Sequence, residues 1–430
     1  MGAMNERRAL QPAALDFLLS SRGEALLARL AGEPLDDADI LPTLARLRST
    51  LGAEEAGAAV ALAQLRRKAA AKFPQAAAMY FTAAALEQAT AAAVAAHRAA
   101  WLDRCALPGP FLDLGCGIGG DLLALAARRP VIAYEVDAVC ARFAAANAAA
   151  LGLAGRVEVR LRDWTADLRA GALPPAAAIF ADPARRDNGR RVFRLEQLTP
   201  PFAALQQLAD RLGPAGVLGV KVMPGIDDAD IPAGWGVEFV SHAGVCKEAV
   251  LWRGAGAALR GAGAALRGAG APWLRWATVL DGGAVYTAVA DSAALPVGPL
   301  AAGQVLYEPD PGLIRAHALG ELCQRLGAHL FDAQIAYLVA AAYAPEPLAR
   351  AFAVDEIHPF HLGRLNERLR ALGVAQVELK KRGFPVAPES LRPRLRLAAA
   401  GRAATIIFTR RGAERLMLIC RRLGTQEDGG

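Results

Sequence analysis

Lysine is scarce in this chain of 430 residues: Lys68, Lys72, Lys221, Lys247, Lys380 and Lys381 are the only ones among 49 basic residues. Arginine takes their place alongside a large excess of alanine, a bias typical of GC-rich coding sequence, so arginine abundance alone says little about a polyanionic partner. The six cysteines, Cys105, Cys116, Cys140, Cys246, Cys323 and Cys420, lie far apart with no CxxC pair. That spacing excludes a disulfide framework and a zinc site, and it predicts reduced thiols in a cytosolic protein with no bound metal. Met1 to Leu10 lacks the apolar core of a signal peptide. No uncharged apolar run reaches the roughly 18 residues of a membrane span, so no membrane partner and a cytoplasmic location are expected.

The length exceeds what a single core usually supports, which predicts two to four domains. Residues 12–104 read as helix, with Leu15, Leu18 and Leu19, then Leu26, Leu27 and Leu30, at helical spacing and Pro74 as a break. From Phe111 short apolar runs alternate with helical stretches. Strands are expected at 111–114, 131–135, 157–161, 177–181 and 217–222, and helices near 121–128, 138–151 and 195–212. This alternation predicts a parallel, doubly wound α/β sheet. Residues 246–252 and 276–280 are expected to pair as an antiparallel hairpin at its edge. Between them GAGAALR occurs twice in succession, at 254–260 and 261–267. That repeat reads as slippage in a tolerant surface loop, or as a basic loop carrying Arg253, Arg260 and Arg267.

Beyond residue 290 an α+β region is expected, with helices at 314–326 and 335–342 and a small sandwich after 351. The predicted domains are therefore 1–104 (helical), 105–289 (Rossmann-like), 290–350 (a small module) and 351–425 (basic α+β). From residue 351 onward 15 lysines and arginines face eight acidic residues, an excess of seven that equals the net charge of the whole chain. Such a basic end fits either a nucleic acid or a well-solvated surface.

The segment FLDLGCGIGGD holds the chemistry of a ligand site. Asp113 lies near a strand end, and Gly115, Gly117 and Gly119 follow where the backbone must turn sharply and approach a ligand. The spacing Gly115-x-Gly117-x-x-Gly120 also fits a dinucleotide loop. Glu135 closes the next strand twenty residues beyond Gly115, where an acid accepts from ribose hydroxyls. Asp137 reads as a helix cap. After the third strand Asp163 is placed for the adenine amine, or as an ordinary turn residue, and Trp164 can pack beside the ring. Together these three acids resemble the class I S-adenosyl-L-methionine (SAM)-dependent methyltransferases more than the dehydrogenases.

At the end of the fourth strand stands Asp182-Pro183-Ala184-Arg185-Arg186, where ligands bind in open α/β sheets. It resembles the Asp-Pro-Pro motifs of nucleic-acid methyltransferases, which implies that Asp182 and Pro183 hold the acceptor. Ala184 replaces the second proline and no aromatic follows, so amine methylation of a flipped base is not implied. Asp182 is the candidate to orient the acceptor or take its proton. Lys221, ending the fifth strand, lines the acceptor pocket or pairs with a nearby acid. Arg185 and Arg186 are candidates for phosphate contact, or simply a solvated loop.

The whole order is similar to a group of bacterial methyltransferases with a C-terminal THUMP-like domain. The resemblance rests on Lys72-Phe73, Phe81-Thr82, Leu86-Glu87-Gln88, Asp113–Gly119, Asp182–Arg186, Lys221–Asp227, Lys247-Glu248, Tyr307-Glu308-Pro309-Asp310 and Val377–Gly383. It implies a class I core between a helical N-terminal domain and C-terminal α+β domains, the first of them ferredoxin-like at 290–350. It also implies SAM as cofactor and RNA, tRNA or rRNA, as substrate. Lys380, Lys381 and Arg382 are the expected RNA contacts. A protein or small-molecule acceptor, or a non-catalytic RNA-binding role, are the alternatives.

Overall fold

The computed structural model describes residues 10–184, 186–187, 190–191, 194–212, 216–254, 275–291 and 294–424. Arg185 and the GAGAALR repeats beyond Gly254 lie outside them. By internal contacts the chain divides into two units, Met1–Pro232 with Val250–Ala265, and Ala233–Ala249 with Leu266–Gly430.

The first unit begins with six helices: α1 (Pro12–Leu18), α2 (Ser21–Ala31), α3 (Asp37–Leu47), α4 (Ala53–Ala69), α5 (Ala83–Gln88) and α6 (Ala92–Cys105). Ser20 caps α2 by accepting from the Gly23 amide at 3.2 Å, and Leu26, Leu27 and Leu30 then fall on its buried face. Their core continues through Phe73, Tyr80 and Phe81 to Ile118 and Phe143, so the helices share apolar packing with the sheet region that follows. Asn147 is fully buried and fastens that junction. Its side chain accepts from Tyr80 N at 2.6 Å and donates to the carbonyls of Tyr80 and Ile118 at 3.1 and 2.9 Å.

The sheet region of this unit alternates β1 (Phe111–Leu114), α7 (Gly120–Ala126), β2 (Val131–Glu135), α8 (Ala138–Ala150), β3 (Val157–Leu161), α9 (Trp164–Ala170) and β4 (Ala178–Ala181). A two-residue ribbon, β5 (Arg186–Asp187) with β6 (Arg190–Arg191), precedes α10 (Phe202–Leu212) and β7 (Val217–Val222). β1 pairs in parallel with β2 and β4, β2 with β3, and β4 with β7. Every residue of β1, β4 and β7 is buried, which is why these strands read as near-continuous apolar runs instead of alternating ones, broken only by the charges Asp113 in β1 and Lys221 in β7. Gly219 in β7 gives space to Trp252, whose ring would lie 2.7 Å from an added Cβ.

Further strands are β8 (Gly236–His242), β9 (Val245–Gly254), β10 (Arg275–Asp281) and β11 (Ala284–Val289). The nine-stranded sheet runs β11-β10-β8-β9-β7-β4-β1-β2-β3. An antiparallel hairpin does form its edge, but it is β10 with β11, not 246–252 with 276–280. β8 lies between those two segments. It joins β9 through Ala243-Gly244, both at positive φ (53° and 71°), the two-residue geometry that matches strand twist.

The second unit also holds a seven-stranded sheet, in the order β13-β14-β12-β15-β18-β17-β16. Its strands are β12 (Val305–Pro309), β13 (His329–Leu330), β14 (Leu338–Ala340), β15 (Ala349–Pro359), β16 (Val374–Lys381), β17 (Arg402–Arg411) and β18 (Glu414–Arg422). Its helices are α11 (Pro311–Ala316), α12 (Gly320–Leu326), α13 (Leu362–Ala371) and α14 (Pro388–Leu391). One core gathers Phe331, Tyr337, Phe352 and Leu418. A second gathers Leu365 and Leu369 of α13 with Phe384, Leu391, Ile406 and Phe408. The C-terminal strands thus belong to one sheet with two apolar faces and do not form a sandwich. Residues 335–342 are not helical either: they contain β14. An apolar run this short fits either period, and pairing with β12 and β13 decides it.

Candidate active site

The glycine loop between β1 and α7 turns through three left-handed residues, Gly115, Gly117 and Gly119, with φ of 89°, 55° and 97°. At Gly115 a Cβ would lie 2.8 Å from the Asp182 carbonyl oxygen, so the ends of β1 and β4 can meet only with glycine there. The Asp182 amide seals the same junction by donating to Leu114 O at 3.0 Å.

Glu135 organises the loop. Its Oε2 accepts from Gly117 N at 2.8 Å, and its Oε1 accepts from Val136 N and Asp137 N at 2.8 and 2.9 Å. A carboxylate has about four acceptor sites, so this half-exposed group retains capacity for a ligand hydroxyl. Asp137 caps α8 through Cys140 N at 2.8 Å. Asp163 is exposed and caps α9 through Thr165 N at 2.8 Å, while Trp164 behind it is buried.

Asp113 is the anomaly of the region. It is 1% exposed, and neither carboxylate oxygen has a hydrogen-bond partner. Burial above all, then the charge of Asp182, pushes its pKa up to about 7, against the opposing pull of Arg98 and Lys221. A buried carboxyl left bare in this way is costly. A cationic ligand that donates hydrogen bonds would remove that cost. Bare acid, left-handed glycines and strand-end glutamate fit a small cofactor carrying a ribose and positive charge.

Asp182 and Lys221 are brought together. The Lys221 ammonium, 3% exposed, lies 2.7 Å from Asp182 Oδ2. It also donates to Thr90 Oγ1 at 3.0 Å. The Thr90 hydroxyl in turn donates to Asp121 Oδ2 at 2.7 Å, and Asp121 Oδ1 is paired with the buried Arg98. Arg98 packs over the Phe180 ring at 4.1 Å, two residues before Asp182. Gly120 lets the Thr90 backbone come close, since a Cβ there would meet it at 3.2 Å. Lys72 shapes the turn that carries Thr90, donating to the carbonyls of Leu86, Glu87 and Ala89 at 2.8–3.1 Å.

Thr90 had no motif in the sequence to mark it. The signals present were Asp121, which closes the segment FLDLGCGIGGD but carries no role there, and Arg98, a charge set among alanines on α6. Pro183 is buried beside Asp182, Arg186 contributes backbone to the β5–β6 ribbon, and Arg185 is outside the described residues.

The three C-terminal residues separate. Lys380 is bound within its own sheet, 2.7 Å from Glu308 and 3.4 Å from Glu378, with its ammonium over Phe352. Arg382 lies over the Tyr337 ring at 5.1 Å. Lys381 alone of the three is exposed. Strand alternation sends successive side chains to opposite faces, so this basic triplet is not one patch. Among the described residues no group of His, Cys, Asp or Glu could hold a metal ion, and no helix is long and apolar enough to cross a membrane.

Comparison with known proteins bears on these features. A THUMP domain-like family model matches residues 349–422, and a domain of unknown function matches residues 11–69. An uncharacterised S-adenosylmethionine-dependent methyltransferase of Mycobacterium tuberculosis is 34% identical over 367 residues, covering 81% of this chain and 91% of that protein. Two shorter matches cover a quarter of the chain or less. A release factor glutamine methyltransferase of Cereibacter sphaeroides is 46% identical over 71 residues (15% of this chain, 26% of that one). An uncharacterised RNA methyltransferase of Parasynechococcus marenigrum is 35% identical over 102 residues (24% and 22%). Among solved structures, a candidate methyltransferase from Porphyromonas gingivalis W83 superposes with a TM-score of 0.68 at 22% identity, covering 93% of this chain and 98% of that one.

Proposed function

Because this chain belongs to the family of S-adenosylmethionine-dependent methyltransferases, we propose that it methylates structured RNA, tRNA or rRNA, by direct transfer. The observation that carries the substrate class is the THUMP domain-like match over residues 349–422, in the part of the chain that holds its entire basic excess. The short likeness to an RNA methyltransferase supports it. The domain division 1–104, 105–289, 290–350 and 351–425 goes with this reading, the last domain engaging RNA.

Bound SAM supplies an electrophilic methyl group. The residues proposed to hold it are the glycine loop and Asp113, Glu135 toward the ribose, and Asp163 with Trp164 toward adenine. Asp182 is proposed to face the acceptor. Its Oδ2 is engaged by Lys221, which leaves Oδ1 to orient the acceptor or take its proton. Pro183 and Arg186 belong to the same strand end and are assigned to the substrate side, as is Arg185. Lys221 then acts by fixing the carboxylate, and alignment of the reacting groups is the main contribution the protein makes.

The release factor likeness favours a protein acceptor as the second reading. Methyl-labelled SAM incubated with the protein and separated tRNA, rRNA and protein fractions from a gene-deleted strain distinguishes the two. Label in one RNA fraction, lost with Asp182→Asn, is expected. Label confined to protein would replace the RNA reading with the second.

A further inference from the structure

The basic excess of the C-terminal unit is not evenly available. Arg368, Lys380, Arg402, Arg410, Arg411 and Arg421 each have a carboxylate partner within 4 Å. Their charge is already balanced inside the fold, and they add little to an external field. Among the described residues from 351 onward, exposed Arg364, Arg370, Lys381, Arg392, Arg394, Arg396, Arg415 and Arg422 have no such partner.

Three of them, Arg370, Arg394 and Arg396, are gathered at one place. Asn366 on α13 reaches the loop after α14, donating to Arg394 O at 3.1 Å and accepting from Arg396 N at 2.8 Å. Arg370 is one helical turn beyond Asn366 and so lies on the same side of α13. Below this layer Leu391 is buried, and Leu395 packs against the same core as Leu365 and Leu369 of the helix. Apolar anchors and the asparagine clamp therefore fix the loop backbone, and its arginines are presented to solvent. Holding a loop in place beforehand lowers the entropy cost of binding. The exposed acids on these elements, Glu367 and Glu389, are outnumbered.

We propose that Arg370, Arg394 and Arg396, organised by Asn366, form the phosphate-binding face through which the C-terminal domain docks RNA. This rests on the RNA reading above and moves the docking face away from Lys380 and Arg382. Phosphate contact suits the surface because guanidinium groups pair with phosphate in two-pronged fashion. Leu397 is the one large apolar side chain exposed here, so the aromatic anchors of a protein hot spot are missing. Contacts of this kind position a nucleic acid without reading its sequence.

The test measures binding of total bacterial tRNA to the full-length protein as a function of salt. The variant R370Q/R394Q/R396Q is compared with R325Q/R411Q/R421Q. The control removes three arginines that are also exposed but already paired with carboxylates. The first variant is expected to raise Kd by on the order of tenfold or more. It should also flatten the slope of log K against log salt by about 2–3, at roughly 0.7–0.9 per phosphate contact. The control should leave both close to wild type. Asn366→Ala should weaken binding with the salt slope retained, because the charges remain and only their arrangement loosens. Wild-type binding matched by the first variant, or lost equally in the control, would overturn the face while leaving RNA as substrate. A wild-type protein that binds no RNA would overturn both.

Discussion

Asp113 offers the sharpest quantitative test of the cofactor site. Its carboxyl is buried without partners and its pKa is raised from 3.8 to about 7. A raised acid keeps its proton in the folded state at pH values where the unfolded chain has lost it. Stability of the cofactor-free protein should therefore fall as pH rises from about 4 to about 7 and then level off. Asp113→Asn removes that dependence and should stabilise the cofactor-free fold at pH 8 by at most on the order of 4 kcal/mol.

Binding should change in the opposite sense. If the ionised carboxylate receives the cationic end of SAM, wild-type affinity is scaled by the ionised fraction, which rises about tenfold between pH 6 and pH 8 for a pKa near 7. The α-amino group of SAM also titrates, at about 7.7–8.0 for such groups, but it does so against both proteins. The ratio of wild-type to Asp113→Asn affinity thus isolates Asp113. Isothermal titration calorimetry across that range should show the ratio climbing about tenfold, with proton release below pH 7. A ratio independent of pH, or an Asp113→Asn protein that binds SAM as tightly as wild type, would refute the reasoning.

Thr90→Val removes the hydroxyl that links Lys221 to Asp121. A lost hydrogen bond to a buried charge is worth about 1.5–3 kcal/mol, so kcat should drop about tenfold or more. Thr90→Ser should restore it, and SAM affinity and the KM for RNA should stay near wild type; an unchanged kcat would remove Thr90 as a positioning residue. Gly115→Ala adds a Cβ at 2.8 Å from the Asp182 carbonyl at a φ of 89°, a strain of about 1–3 kcal/mol. Calorimetry should find SAM binding severely weakened, and wild-type affinity would argue against the tight β1–β4 junction. In the C-terminal domain, Arg368 and His358 hold the Glu356 carboxyl down at about 2. The stability it contributes is present above pH 4.5 and lost as pH falls toward about 2. Arg368→Ala should shift acid unfolding to higher pH, and coincident acid transitions would count against the pair.

Much of the core was legible because its determinants are local. Phe111–Gly120 names a strand, a turn and a helix start by composition, and Glu135 follows at the interval that one strand-helix-strand passage imposes. Asp137 announces a cap. What escaped was tertiary. β8 carries Glu238 and Ser241 at positions that end up buried, so its composition obscured a strand lying between β9 and β10. Residues 335–342 show no period long enough to separate helix from strand. Thr90 meets Lys221 across 131 residues of sequence, and no local pattern predicts that. Lys380 looked available because its partner Glu308 lies 72 residues away; only the pairing of β12 with β15, and of β15 onward to β16 through β18 and β17, brings them into one sheet.

The central claim, methyl transfer to RNA through Asp182, is tested most directly by nucleoside mass spectrometry. Fractionated tRNA and rRNA would be compared from the parent strain, a gene-deleted strain, and that strain carrying either wild-type protein or Asp182→Asn. One methylated nucleoside should disappear on deletion, return with the wild-type protein and fail to return with Asp182→Asn at equal protein abundance. Identical nucleoside profiles in all four strains would contradict it.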